Sequence, residues 1–168
     1  METATTAPPH HRLARLAGAY AGPESVFGDA GGAGGAVGAV GEATGRFRTN
    51  VALGGGFLIM DYQQEQFGSI TRLAHGVFGF DEAADRYTMH WFEDRAGDPG
   101  APALGTWVGD DLVFERATDW GHVRYAFGAP LADGDTLTMR MESSPDGAGW
   151  SPAIQGSYRR ANWDRRTR

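Results

Sequence analysis

The chain of 168 residues contains neither cysteine nor lysine. Without cysteine it has no disulfide, no thiolate for a metal and no thiol nucleophile. Without lysine it can form no Schiff base with a substrate, and it lacks the lysine of a phosphate-binding loop. All 15 basic residues are arginine, as is typical of a GC-rich genome, so a single arginine is weak evidence of function.

The chain is acidic, with a net charge of -6 at pH 7 and a pI near 5.3. This charge argues against nucleic acid or an anionic lipid surface as a partner. Residues 1 to 9 are polar and do not resemble a signal peptide, and no segment approaches the about 20 apolar residues that span a bilayer. We therefore expect a cytoplasmic protein whose partner is a small apolar or amphipathic molecule, without membrane binding; a homodimer is compatible with the sequence.

Composition divides the chain into a polar leader (residues 1–8), one domain (9–160) and a basic tail (161–168). Pro9 to Ala17 is predicted to form a short helix, with Leu13 and Leu16 on one face. The glycine-rich segment 28–45 lacks the glycine spacing of a phosphate-binding loop. It is interpreted as a surface loop that runs into a strand, or alternatively as a lid over the mouth of a barrel.

Turn sequences recur after the helix and separate stretches in which apolar residues alternate with polar ones. Ten strands are predicted, near residues 18–27, 41–53, 56–66, 69–80, 86–93, 103–109, 111–116, 121–128, 135–143 and 152–160. This number of strands favours an all-β fold: a closed antiparallel up-and-down barrel, which leaves no exposed edge and encloses an interior for a small ligand.

The hairpin at residues 71–93 carries two histidines. If Phe80 faces either Tyr87 or Asp85 across the polar turn, His75 and His90 lie opposite or diagonal to each other on one face. We expect this face to be the inner wall of the barrel.

Two further turns predict which residues pair. A two-residue turn at 109–110 pairs Trp107 with Leu112. The same rule at 133–134 would mix charged and apolar residues on one face, which indicates a longer loop or a bulge there.

Four segments carry a resemblance to a known family: AHGVFGFD (74–81), RYTMHWF (86–92), GTWVGDDL (105–112) and MRMESSPDGAGWSPAIQGSYRR (139–160). Together they resemble an uncharacterised bacterial family of single-domain proteins with a lipocalin-like, calycin-type β-barrel, over most of residues 10–160. Calycins open with Gly-x-Trp and stack an arginine of the last strand on that ring. The resemblance implies that Tyr20 takes the place of the tryptophan, with Arg159 or Arg160 as its partner.

Candidate binding residues follow from the predicted strands. On the third strand, either Tyr62 and Gln64 or Asp61 and Glu65 face the interior. The remaining candidate ligand-binding residues are His75, His90, Trp91, Trp107, Tyr125, Arg124 and Arg140. The two arginines qualify because an inward guanidinium can hold the head group of a ligand. The alternative is an outward, solvated orientation, because Leu137, Met139 and Met141 form the better core stripe on that strand. The histidine spacing matches no HxH or HExxH motif, so no metal site and no cofactor are predicted.

Three functions are compatible with these residues. The first is a barrel that binds a mostly apolar ligand in a central cavity with a few polar anchors. The second is a cofactor-free cyclase or isomerase of secondary metabolism, in which His75 or His90 moves a proton together with Glu65. The third, a haem-binding barrel, is implied by the resemblance and would place one of the two histidines on the iron.

Overall fold

Ten antiparallel strands close into a barrel in which each strand pairs with its sequence neighbours and β1 pairs with β10. The structure is a computed structural model and describes residues 8–28, 39–94, 97–131 and 134–162. The strands are β1 (Gly18–Phe27), β2 (Ala39–Ala52), β3 (Phe57–Gln66), β4 (Ser69–Asp81), β5 (Arg86–Glu93), β6 (Ala103–Val108), β7 (Asp111–Thr118), β8 (Gly121–Gly128), β9 (Thr136–Ser144) and β10 (Ser151–Arg160). The predicted all-β, up-and-down barrel is confirmed.

A short helix, α1 (Pro9–Leu13), covers one end of the barrel and continues as a 3-10 turn over Ala14–Leu16. Leu13 and Leu16 are buried in the same apolar cluster as the barrel interior. The phenol of Tyr87 donates a hydrogen bond of 2.8 Å to the carbonyl of Pro9. We call this end of the barrel the capped end, and the opposite end, where β3 turns into β4 at residues 67–68, the open end.

Large apolar side chains fill the capped half of the barrel. Phe78, Phe114 and Phe127 are fully buried and lie with ring centroids 5.4 to 6.5 Å apart, in edge-on orientations. Burying each of these rings contributes roughly 1.5 to 3 kcal/mol relative to exposure. The centre of this half is therefore filled by side chains.

The strand registers match the predictions made from the turns. Phe80 pairs with Tyr87, and Trp107 pairs with Leu112. The turn between β8 and β9 is longer than two residues, as predicted, because β8 ends at Gly128 and β9 begins at Thr136. Hence Tyr125 pairs with Met141 rather than with the charged Glu142.

The first and last strands also meet as the resemblance implies. The guanidinium of Arg160 lies 5.2 Å from the centre of the Tyr20 ring, a cation–π contact. Three predicted segments lie largely outside the described residues: the leader except for Pro8, most of the glycine-rich segment with its lid role, and most of the basic tail. Within the described part of the chain, the helices are too short and polar to cross a membrane.

Candidate functional site in the open half of the barrel

A buried glutamate lies on the inner wall of the barrel. Glu24 follows Tyr20 and Gly22 on the inward face of β1, and only 2% of it is exposed. Its carboxylate accepts hydrogen bonds from the phenol of Tyr62 (2.9 Å), the amide of Gln64 (2.8 Å) and the phenol of Tyr158 (2.5 Å). We call these four residues the Glu24 cluster.

Two inward glycines make room for this cluster. A Cβ added to Gly45 on β2 would overlap the carboxylate of Glu24, and one added to Gly156 on β10 would overlap the phenol of Tyr158. Phe47 supports the two phenols, since its ring stacks on Tyr62 at 4.8 Å and meets Tyr158 edge-on at 4.7 Å. The cluster is therefore held in one arrangement by its surroundings.

The partners of Glu24 are two phenols and an amide, so its ionised form depends on neutral donors. Burial raises the pKa of Glu24, and the hydrogen bonds from Tyr158, Gln64 and Tyr62 together with the charge of Arg72 only partly oppose this. Burial and the neighbouring Glu24 charge raise the pKa of both Tyr62 and Tyr158 far above the ordinary value. Both phenols therefore remain hydrogen-bond donors at physiological pH.

This electrostatic arrangement predicts how stability depends on pH. Below the ordinary value of 4.5 the Glu24 carboxyl carries its proton in both the folded and the unfolded chain. As the pH rises further, the unfolded chain releases the proton first, so ionisation favours unfolding and the stability contributed by Glu24 declines. The free energy of unfolding of the wild type minus that of Glu24→Gln should therefore fall as the pH rises from 4.5 through the raised pKa.

Urea denaturation of both proteins across the acid and neutral range measures this difference. The glutamine variant is the matched control because it removes only the ionisable group and leaves the other carboxylates unchanged. A difference that stays constant or grows with pH would contradict the prediction.

Charged side chains also face the interior near the mouth. Arg72 on β4 pairs with Gln64, which places it on the inward face. Its guanidinium lies 3.6 Å from the carboxylate of Glu93, which also accepts a hydrogen bond of 2.8 Å from the indole of Trp91. On β7, Arg116 pairs with the inward Val123 and donates to the carbonyl of Pro99. The open half thus combines polar and charged groups with apolar walls.

A family model described as "Protein of unknown function (DUF1579)" matches residues 5–160. The chain belongs to the DUF1579 family. No curated protein matches it. Its fold is similar to the crystal structure of Rv2717c from M. tuberculosis, with a TM-score of 0.61 and 13% sequence identity, over 92% of this chain and 99% of that one. At this identity the likeness shows the fold alone.

In this DUF1579 barrel, the two histidines of the central hairpin share one face, as predicted, but that face is the outer wall. His75 pairs with Phe92 and His90 with Val77. His90 is exposed, and the half-exposed His75 makes a 2.7 Å contact with Asp61. The prediction that both line the interior is wrong, because the inward face of β5 carries Tyr87, Met89 and Trp91 instead.

The outward orientation changes what these histidines can do. His75 lies in a concavity of about 560 Å³ on the outer wall, next to Leu73 and Phe92. Glu65 alternates with the buried Gln64 and also faces outward. A proton shuttle of His75 or His90 with Glu65 inside the barrel does not fit these positions. Neither histidine can ligate a haem iron inside the barrel, so the inner wall does not fit the haem-binding alternative.

The two arginines predicted as ligand anchors also lie on the outer wall. Arg124 donates a 2.8 Å hydrogen bond to Glu142, and its guanidinium lies 4.1 Å from the centre of the Trp150 ring. Arg140 forms an ion pair of 2.9 Å with Asp111. The outward alternative is therefore correct, and each guanidinium is satisfied by neighbours on the surface.

The other candidate residues do face the interior. Tyr62, Gln64, Trp91 and Tyr125 are buried in the open half. Trp107 is inward too, but it lies at the capped end, where the guanidinium of Arg12 lies 4.7 Å from its ring centre. Four of the predicted ligand-binding residues are thus brought together, and Trp107 is separated from them.

Sequence reasoning missed Glu24, Tyr158, Arg72 and Arg116. A signal for Glu24 was present, because Tyr20 and Glu24 have the same parity on one strand and the resemblance places Tyr20 inside. A signal for Arg72 was present too, since it alternates in phase with Ala74, Phe78 and Phe80. On each strand, the residues that alternate in phase with the large aromatic side chains face inward, and this rule identifies both Glu24 and Arg72.

Proposed function

We propose that this protein binds a small, mostly apolar molecule in the open half of the barrel, with the Glu24 cluster as its polar anchor. One observation carries the proposal. A carboxyl, two phenols and an amide converge on the inner wall of a barrel whose other buried inward residues are mostly apolar, in the half that α1 does not cover. Ligand sites in barrels have this composition, with apolar walls and a few polar groups that fix the orientation of the ligand.

The walls around the cluster support the proposal. Inward positions in the open half are occupied by the small residues Ala43 and Ala74, by Val123 and Ile154, and by the indole of Trp91. These side chains are apolar, as the walls of a site for an apolar molecule require. Membership of the DUF1579 family and the similarity to the Rv2717c barrel are compatible with this function.

Native mass spectrometry of freshly purified, untreated protein tests for a bound molecule. We expect an additional mass that disappears on denaturation. Binding is then measured by fluorescence with 1-aminoanthracene, a small apolar probe with one hydrogen-bonding amine.

Two neighbouring glutamines of β3 provide a matched pair of variants. Gln64→Leu should weaken binding of 1-aminoanthracene about tenfold, because the amide both donates to Glu24 and faces the interior. Gln63→Leu, on the outer face of the same strand, should change it less than twofold. Equal effects of the two substitutions, or no binding by the wild type, would contradict the proposal.

A further inference from the structure

Two arginines face the interior of the open half, and neither was predicted to do so. Arg72 is placed there by its pairing with Gln64 on β3, and Arg116 by its pairing with Val123 on β8. An inward guanidinium is expensive unless acceptors satisfy its donors. Donors of these two arginines that have no acceptor among the residues the structure describes therefore indicate the kind of ligand that the site binds.

Both guanidiniums keep donors that the described residues do not use. The contacts of Arg72, to the carboxylate of Glu93 and to the sulfur of Met141, are both 3.6 Å long and involve the same nitrogen, Nη1. Arg116 donates through Nη1 to Pro99, while its Nε is buried without a partner in the described part of the chain. These nitrogens can donate to an anion bound in the open half.

The charges of both arginines affect the buried phenol of Tyr125. Burial and the charge of Glu93 raise the pKa of Tyr125 to about 12, while the charges of Arg116 and Arg72 oppose this shift. The contacts agree with this. The ring of Tyr125 lies 5.6 Å from that of Trp91, whose indole donates to the Glu93 carboxylate beside Arg72. On the other side, Tyr125 is two positions from Val123, the partner of Arg116. An anion near Tyr125 would be attracted by both.

The remaining charges limit the anion to one negative charge. Glu93 offsets one of the two arginines through its contact with Arg72. The carboxyl of Glu24 belongs to the same half of the barrel and would repel a dianion more strongly than a monoanion. A carboxylate also matches the planar fork of a guanidinium, which can donate two parallel hydrogen bonds to its two oxygens.

We propose that the ligand is an amphipathic monocarboxylate whose carboxylate is bound by Arg72 and Arg116 and whose apolar part lies against Trp91, Ala74 and Ile154. This inference rests on the proposed function and specifies its ligand class.

Isothermal titration calorimetry with decanoate, 1-decanol and decyl phosphate tests the proposal. The three probes share one alkyl chain and differ in the charge of the head group. We expect decanoate to bind at least tenfold more tightly than 1-decanol and more tightly than decyl phosphate. In Arg72→Gln, decanoate should bind at least tenfold more weakly while 1-decanol is unchanged, and Arg116→Gln should act in the same direction.

Arg140→Gln is the matched control, because Arg140 lies on the outer wall, and it should leave decanoate binding within twofold. If Arg72→Gln does not fold by circular dichroism, Arg72→Lys keeps the charge but removes the planar fork, and should weaken decanoate binding by an intermediate factor. Equal binding of decanoate and 1-decanol, or tighter binding of decyl phosphate, overturns the monocarboxylate and leaves the proposed function intact. If none of these three probes binds and 1-aminoanthracene does not bind either, the proposed function itself fails.

Discussion

Gly22→Ala is expected to destabilise the protein by about 3 kcal/mol or more, although it adds a single methyl group. Gly22 faces inward on β1, where this strand meets β10 and closes the barrel. A Cβ at this position would overlap the carbonyl oxygen of Ser157 and lie 2.8 Å from the Cα of Tyr158. Because these atoms belong to the backbone, no side-chain rotation can relieve the overlap, and β10 must move away. Urea denaturation followed by circular dichroism measures the loss.

Gly149→Ala provides the control for this substitution. Apart from its two chain neighbours, no described residue would come within 4 Å of a Cβ on Gly149, and the backbone there is not in the left-handed region. Its stability should differ from that of the wild type by less than about 0.5 kcal/mol. A Gly22→Ala variant as stable as Gly149→Ala would show that the closing strands do not approach as closely as described.

Glu24→Ala is expected to lower the free energy of unfolding by about 3 kcal/mol. The substitution removes the acceptor shared by Tyr62, Gln64 and Tyr158. It leaves both phenol hydroxyls buried without an acceptor, while the Gln64 amide keeps its 3.2 Å hydrogen bond to the Tyr62 oxygen. An unsatisfied buried donor costs about 1 to 3 kcal/mol, and the space left by the side chain adds to that cost. Thermal and urea unfolding at neutral pH give the value.

Two other substitutions separate hydrogen bonding from charge. Glu24→Gln keeps the size of the side chain and one acceptor oxygen, so it should cost less than about 1 kcal/mol. Glu42→Ala removes an exposed glutamate of the adjacent strand β2 and should be nearly neutral. If Glu24→Ala were as stable as Glu24→Gln, the hydrogen bonds of the cluster would contribute little to folding.

In the hairpin of β4 and β5, the sequence predicts which residues share a face but not which face is inside. The polar turn between Phe80 and Tyr87 determines the register, so the shared face of His75 and His90 was predicted correctly. Which face points inward was not, because Leu73 and Val77 make the outward face of β4 apolar as well. Apolar residues on a protein surface are common, so alternation by itself does not identify the interior.

Packing decided the direction of this hairpin. Gly76 lies against the ring of Trp91, where an added Cβ would be 3.0 Å from two ring atoms. A large residue facing a glycine fills the interior, and the reverse orientation would leave the indole in solvent. Tertiary contacts also decided the orientation of the two arginines. Arg124 forms an ion pair with Glu142 and Arg140 with Asp111, both on the surface, and the local sequence does not reveal these partners.

The sequence by itself determined the ten strands and the turns between them, because alternation and turn chemistry act between residues close in the chain. Only the tertiary structure decided which face of each strand is the interior and which residues form the candidate site. Glu24 and Tyr158 are 134 positions apart and meet because β1 and β10 close the barrel. A contact made by closure depends on the curvature of all ten strands, and no local pattern records it.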